Sequence, residues 1–141
     1  MPYASLALLS TATTIDRTIW ELKAPGSSAP AIIEMCFNSN TASGMQIGLG
    51  KPSVPCTGPT PNPFQMDDPS EIQTNVTAAI SYSLTGGVPS FFVRRGVLGS
   101  LIGLTVIWTW PAGLRVPAAT SMCIWAVTTP NAANIHCVIE E

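Results

Sequence analysis

The sequence predicts an all-β chain, an antiparallel β-sandwich of jelly-roll type with eight to nine strands. Three observations carry that reading. Apolar residues recur at every second position in short runs, the runs are separated by Pro, Gly, Asn and Asp, and no stretch repeats at helical spacing. The clearest run is 104–110, where Leu104, Val106, Trp108 and Trp110 share one face and Thr105, Ile107 and Thr109 the other. A corner punctuated by Pro and Gly follows. Residues 122–127 are apolar on both faces, which predicts a strand covered on both sides. The last strand, 134–140, places Ile135, Cys137 and Ile139 on one face. Trp108, Trp110 and Trp125 lie in these hydrophobic runs and are expected in the core.

From the start of the chain, residues 1–14 read as an N-terminal arm with a short apolar strand at 5–9, ahead of one domain spanning 15–141. Residues 15–24 alternate with charged positions and predict an outer strand on which Trp20 is exposed, ending at Pro25-Gly26. In the strand at 31–37, Ile33, Met35 and Phe37 are expected inward, and Ile32, Glu34 and Cys36 outward. A polar turn leads to 45–50, where Gly48 and Gly50 alternate with Ile47 and Leu49 and indicate close backbone approach. Residues 51–69 hold six prolines and form a long irregular loop. Loops of that length in small domains are commonly functional, which makes Phe64 and Met66 contact candidates, with packing back on the sandwich as the equal alternative. Asp68, with Glu71 three residues on, has the pattern of a helix N-cap and predicts one helical turn. Strands at 76–84 and 91–98 follow, the first ended by Gly86-Gly87.

Only 10% of the 141 residues are charged, against about 25% in ordinary soluble domains. With 46% hydrophobic residues, such a small domain has too few charges to cover its surface, which implies that much of that surface meets other protein. The chain is not expected to cross a membrane, because Gly, Ser, Thr and Pro interrupt the long apolar run at 97–114 before it reaches the ~20 residues a spanning helix needs. No secretory leader is expected either, since 6–9 is too short an apolar core and no basic segment precedes it. Six basic residues against eight acidic give a net charge of −2. Nucleic acid is therefore not an expected partner, because phosphate binding needs clustered cations. Arg94 and Arg95 are the adjacent pair, and on a strand they point to opposite faces.

Convergent chemistry is scarce. Cys36, Cys56, Cys123 and Cys137 lack zinc or redox spacing and read as reduced thiols; Cys123 and Cys137, on neighbouring strands, could face each other. His136 is the sole histidine. Beside Cys137 on one strand it points to the opposite face, so the two are no dyad, and it is expected to face solvent. No Gly-x-Ser-x-Gly elbow offers a serine nucleophile. Asp67, Asp68 and Glu71 are too few and too irregular for an EF-type calcium loop. Gly48-x-Gly50 lacks the third glycine and the helix of a dinucleotide site. Asn75-Val76-Thr77 is a glycosylation sequon without secretion to use it. The sequence predicts no enzyme, no catalytic residues, no cofactor and no metal.

The run Val106-Ile107-Trp108-Thr109-Trp110-Pro111, with Gly113-Leu114, Val116-Pro117-Ala118 and Ile124-Trp125, resembles small phage head proteins. Trp20-Glu21-Leu22, Ala24-Pro25, Ile47-Gly48-Leu49-Gly50, Pro52, Asp68-Pro69, Phe91, Arg94-Arg95 and the closing Val138-Ile139-Glu140-Glu141 fit the same group. The resemblance spans most of 20–141 and implies a jelly-roll capsid cement or decoration protein. Its partners would be the major capsid protein and neighbouring copies of itself, as a trimer in many such proteins. Its place would be the outer capsid surface of the virion, after synthesis in the host cytoplasm. On that reading the arm and the proline loop make the contacts, through Tyr3, Leu6, Leu8, Phe64 and Met66. Deleting 1–10, or replacing 51–69 with a short turn, should leave the domain folded and weaken capsid binding. The alternative is a carbohydrate-binding β-sandwich module of a phage fibre or lectin, which needs at least two exposed aromatic side chains along a groove.

Overall fold

Alternation in the sequence becomes extended chain in the structure, and no described residue is helical. The computed structural model describes residues 3–10, 18–40, 42–53, 61–71, 74–80, 89, 91–128 and 131–141. The strands are β1 (Tyr3–Leu9), β2 (Thr18–Lys23), β3 (Ala31–Ser39), β4 (Met45–Gly50), β5 (Asn62–Pro63), β6 (Gln65–Met66), β7 (Thr77–Ile80), β8 (Arg94–Leu98), β9 (Thr105–Arg115), β10 (Ser121–Ala126) and β11 (Ala133–Glu140). They form two antiparallel sheets in a sandwich. The first sheet runs β6-β1-β11-β3-β9 and the second β5-β7-β2-β10-β4-β8.

The pairing has a simple logic. β1 pairs with β11, β2 with β10, β3 with β9 and β4 with β8, so the first four strands lie along the last four in reverse order. Each step from β1 to β4, and from β8 to β11, crosses to the other sheet. The β11–β3 and β10–β4 pairings join these pairs within each sheet. Between β4 and β8 the chain makes the excursion that holds β5, β6 and β7. As a result β8 and β9 close the two sheets at one margin, while β6 and β5 close them at the other.

The inner faces share one core that includes Trp20, Leu22, Met35, Phe37, Ile47, Leu49 and Ile135. Strand β10 is covered on both sides, as its sequence predicts. Met122, Ile124 and Ala126 enter the main core, while Cys123 and Trp125 lie on the outer face of the second sheet under Phe92, whose ring centroid is 6.0 Å from that of Trp125. Gly48 makes room for this lid: a Cβ there would stand 2.5 Å from the Phe92 ring.

Several sequence expectations are corrected. The segment expected as an arm contains β1, an internal strand paired with β11 along its whole length and with β6 on its other side. Phe64 and Met66 are core residues, carried inward by the short strands β5 and β6 that the proline-rich sequence hid. Trp20 is fully buried rather than exposed. Its strand bulges against β10 between the Trp20–Ile124 and Thr18–Trp125 pairs, and Ile19 and Trp20 enter the same core. A bulge at Ile32/Glu34 likewise reverses the expected alternation, so Ile32 is buried and Ile33 is half-buried. It also absorbs the expected corner: residues 110–113 bulge out opposite Ile33 while β9 continues to Arg115. Gly113 turns this bulge at φ +75°, where a Cβ would meet the Ala31 Cβ at 2.8 Å. The expected helical turn is a hydrogen-bonded bend in which Asp68 Oδ1 accepts from the Ser70 N–H (2.9 Å) and hydroxyl (2.8 Å).

Candidate functional site

The structure brings one cysteine and the histidine together. Cys36 and His136 stand opposite each other in the β3–β11 register, on the outer face of the first sheet, with Glu34 two residues along on the same face. A nucleophilic pair needs a thiolate. Burial, and after it the negative Glu34, push the Cys36 thiol above its ordinary value, so this pair holds a neutral thiol. Cys137 is also pushed up, by burial between the sheets. Cys123 lies on the outer face of the second sheet and its Sγ is 3.5 Å from Glu21 Oε2. Cys123 and Cys137 therefore do not face each other, and Cys36 and Cys137 are free thiols. Cys56 falls outside the described residues. Among the described residues no three His, Cys, Asp or Glu side chains converge on a metal position.

Glu21 is buried and pairs with the half-exposed Lys23 at 3.4 Å. These neighbours explain why Trp20 looked exposed in sequence: the charged residue beside it is itself covered. Trp108 and Trp125 are buried as well, and Trp110 is half-buried. No tryptophan is exposed, and the exposed aromatic side chains among the described residues are Tyr3 and Phe91.

What the structure does build is an apolar margin. Trp108 of β9 fits against Gly96 of β8, where a Cβ would stand 3.0 Å from the indole, and packs edge-on against Phe37 at 4.8 Å. The Arg94 guanidinium lies over the Trp110 ring at 5.2 Å, and Arg95 over Phe92 at 5.6 Å. As their adjacency on a strand requires, the two arginines point to opposite sides. Around this frame the large apolar side chains turn outward: Val93 and Val97 beside β8, Ile107 on β9, and Phe91 at 87% exposure.

Between the strands a rigid turn holds out two more. The Leu104 N–H donates to the Leu101 carbonyl at 3.3 Å, and Gly103 sits at φ +85°, as the third position of a type II turn demands. The Gly103 N–H donates to Ser39 O (2.9 Å) and the Ser39 N–H to Leu104 O (3.1 Å), which fastens the turn to the end of β3. Leu101 and Ile102, at its tip, are 65% and 70% exposed. Of the nine large apolar side chains exposed among the described residues, seven fall within 91–107; the other two are Tyr3 and Leu9. Those seven lie on β8, on β9 and in the segments that flank them.

The contact residues expected from sequence are elsewhere. Tyr3 is exposed, Leu6 and Leu8 are half-buried against the core, and Phe64 and Met66 are inside it. The margin was missed because 91–98 and 104–110 alternate like core strands, and their exposure depends on which face meets solvent. No known protein family, curated protein or solved structure matches the chain.

Proposed function

We propose that the chain is a non-enzymatic structural protein of a phage head, a cement or decoration protein that binds the major capsid protein lattice on the outer surface of the virion. The observation that carries this reading is the exposed apolar margin at 91–107 in a chain with 10% charged residues. A surface of that kind is stable in water when another protein covers it. The strand order supports the jelly-roll version of the fold. Four strands pair with four in reverse order and are rolled into the sheets β1-β11-β3-β9 and β2-β10-β4-β8, an arrangement of eight strands in two sheets shared with many capsid domains. The sequence resemblance to small phage head proteins points the same way. Many weak contacts on a lattice would add up through multivalency.

Quantitative mass spectrometry of virions purified from the phage that encodes the chain tests this reading. Many copies per particle are expected, and they should be accessible to protease or antibody on intact heads. Absence from purified virions would remove the assignment.

A further inference from the structure

We infer that the β8–β9 margin of one copy docks on the β5–β6 margin of a second copy, so that copies associate head to tail. The inference rests on the reading of the chain as a lattice-bound protein whose apolar margin another protein covers, and it assigns that cover to a neighbouring copy on the lattice.

Charge carries the argument. The chain has no acidic residue between Glu71 and Glu140, and that stretch holds Arg94, Arg95 and Arg115. Arg94 and Arg95 are exposed on β8, and among the described residues neither has a carboxylate within ion-pair distance. Three exposed acidic residues stand at the opposite margin, while the buried Glu21 lies on β2 and the half-buried Glu34 on β3. Asp67, Asp68 and Glu71 follow β6 directly and are exposed. The Asp67 N–H donates to Tyr3 O at 3.0 Å, and Glu140 is the cross-strand partner of Tyr3. Tyr3, 46% exposed, is thus an exposed aromatic residue next in the backbone pairing to Asp67 and Glu140. One margin is apolar with arginines and the other is aromatic with carboxylates. In the first sheet they are separated by the full order β6-β1-β11-β3-β9, about 19 Å at the usual strand spacing.

Two-fold pairing of β8–β9 margins is the competing arrangement. It would place Arg94 and Arg95 of both copies in one interface, and like charges brought together oppose association. Head-to-tail docking instead sets them against Asp67, Asp68 and Glu71, and its heterologous geometry closes into a ring or extends as a filament. Among the described strands β6, β9, β5 and β8 end the two sheets, and docking at the margins would add a neighbour to them.

The test is light scattering coupled to size-exclusion chromatography on the full chain over a concentration series, with Arg94→Glu/Arg95→Glu and Asp67→Lys/Asp68→Lys. All four positions are exposed, but Arg94 and Arg95 cover the Trp110 and Phe92 rings and Asp68 Oδ1 holds the Ser70 turn, so both variants should melt somewhat lower than the parent and still in one cooperative transition, which excludes misfolding. The parent is expected to associate, and each double variant to weaken that association about tenfold or more. Mixing the two variants should restore it, because reversed margins are again complementary. A parent that stays monomeric overturns the inference, and so does Asp67→Lys/Asp68→Lys assembling like the parent, as a two-fold contact would allow. The virion measurement is independent: a monomer abundant on heads would refute head-to-tail docking alone, and an assembling chain absent from virions would refute the capsid assignment alone.

Discussion

Phe64→Ala separates a core residue from a contact residue. Phe64 lies between β5 and β6, its N–H donates to Val76 O at 3.2 Å, and its side chain is fully buried in the main core. Truncation removes the ring's burial and leaves a cavity that the two-residue strands beside it cannot collapse around, a loss of about 3–5 kcal/mol. A chain of 141 residues has a total stability of about 7–21 kcal/mol. The same length gives an unfolding entropy of about 0.3 kcal/mol/K, so the melting temperature should fall by about 10–17 °C. Urea titration should show a lower midpoint with an unchanged slope, the sign of lost stability without a change in the surface exposed. Phe64→Leu keeps most of the volume and should cost about 1.5 kcal/mol or less. A loss below about 1 kcal/mol for Phe64→Ala, with binding to heads abolished, would return Phe64 to the surface and refute the β5–β6 packing.

Gly113→Ala should destabilise by at least the ~1–2 kcal/mol left-handed penalty, because its Cβ would also stand 2.8 Å from Ala31; thermal melts should show no comparable loss for Gly26→Ala, where a Cβ meets nothing within 4 Å. Deleting residues 1–10 removes β1 from between β11 and β6, so the truncated chain should lose cooperative unfolding or fail to stay in solution, and a sharp transition near the parent's midpoint would contradict the fold. In a Cys56→Ser background, maleimide should label Cys36 slowly at neutral pH and faster as pH rises beyond the ordinary thiol value, while buried Cys123 and Cys137 react after denaturation; early labelling of Cys137 would count against its place between the sheets. The folded state holds the Cys137 proton more tightly than the unfolded chain, so its contribution to stability is complete below the ordinary value of 9.0 and is lost as pH rises above it; denaturant midpoints that rise over that range would reverse the sign.

Period-two patterning located the long strands well, because one buried face imposes alternation directly. In β11, Ile135, Cys137 and Ile139 are buried and Asn134 and His136 are turned outward, as their spacing predicts. The pattern failed where the backbone breaks step. The bulge at Ile32/Glu34 exchanged the roles of Ile32 and Ile33, and the one opposite Ile124/Trp125 brought Ile19 inward beside Trp20. Bulges add a residue without changing composition, so alternation alone does not announce them. Phe64 and Met66 were misplaced for another reason: two-residue strands among prolines are too short for any period to be read. The apolar margin was illegible because exposure there is set by the face a side chain takes. Val97 and Ile107 have the residue types of buried strands, and they meet solvent because they alternate with Gly96 and Trp108, which face each other between the sheets, and so stand on the outer faces.

The strand order also makes the separation of charge informative. Pairing of the first four strands with the last four interleaves early and late segments: in the first sheet β1, β11, β3 and β9 alternate between them. A chain with no acidic residue between Glu71 and Glu140 would, by that interleaving alone, spread its charges evenly across both sheets. Instead the acidic residues of the excursion lie where β6 ends one margin, and Arg94 and Arg95 lie where β8 ends the other. Core packing does not require this, since all five of Asp67, Asp68, Glu71, Arg94 and Arg95 are exposed. Solubility does not require it either, because mixed signs on each margin would serve as well. A polarity kept at the two places where the sheets end is what edge-to-edge association needs, since it attracts unlike margins and repels like ones.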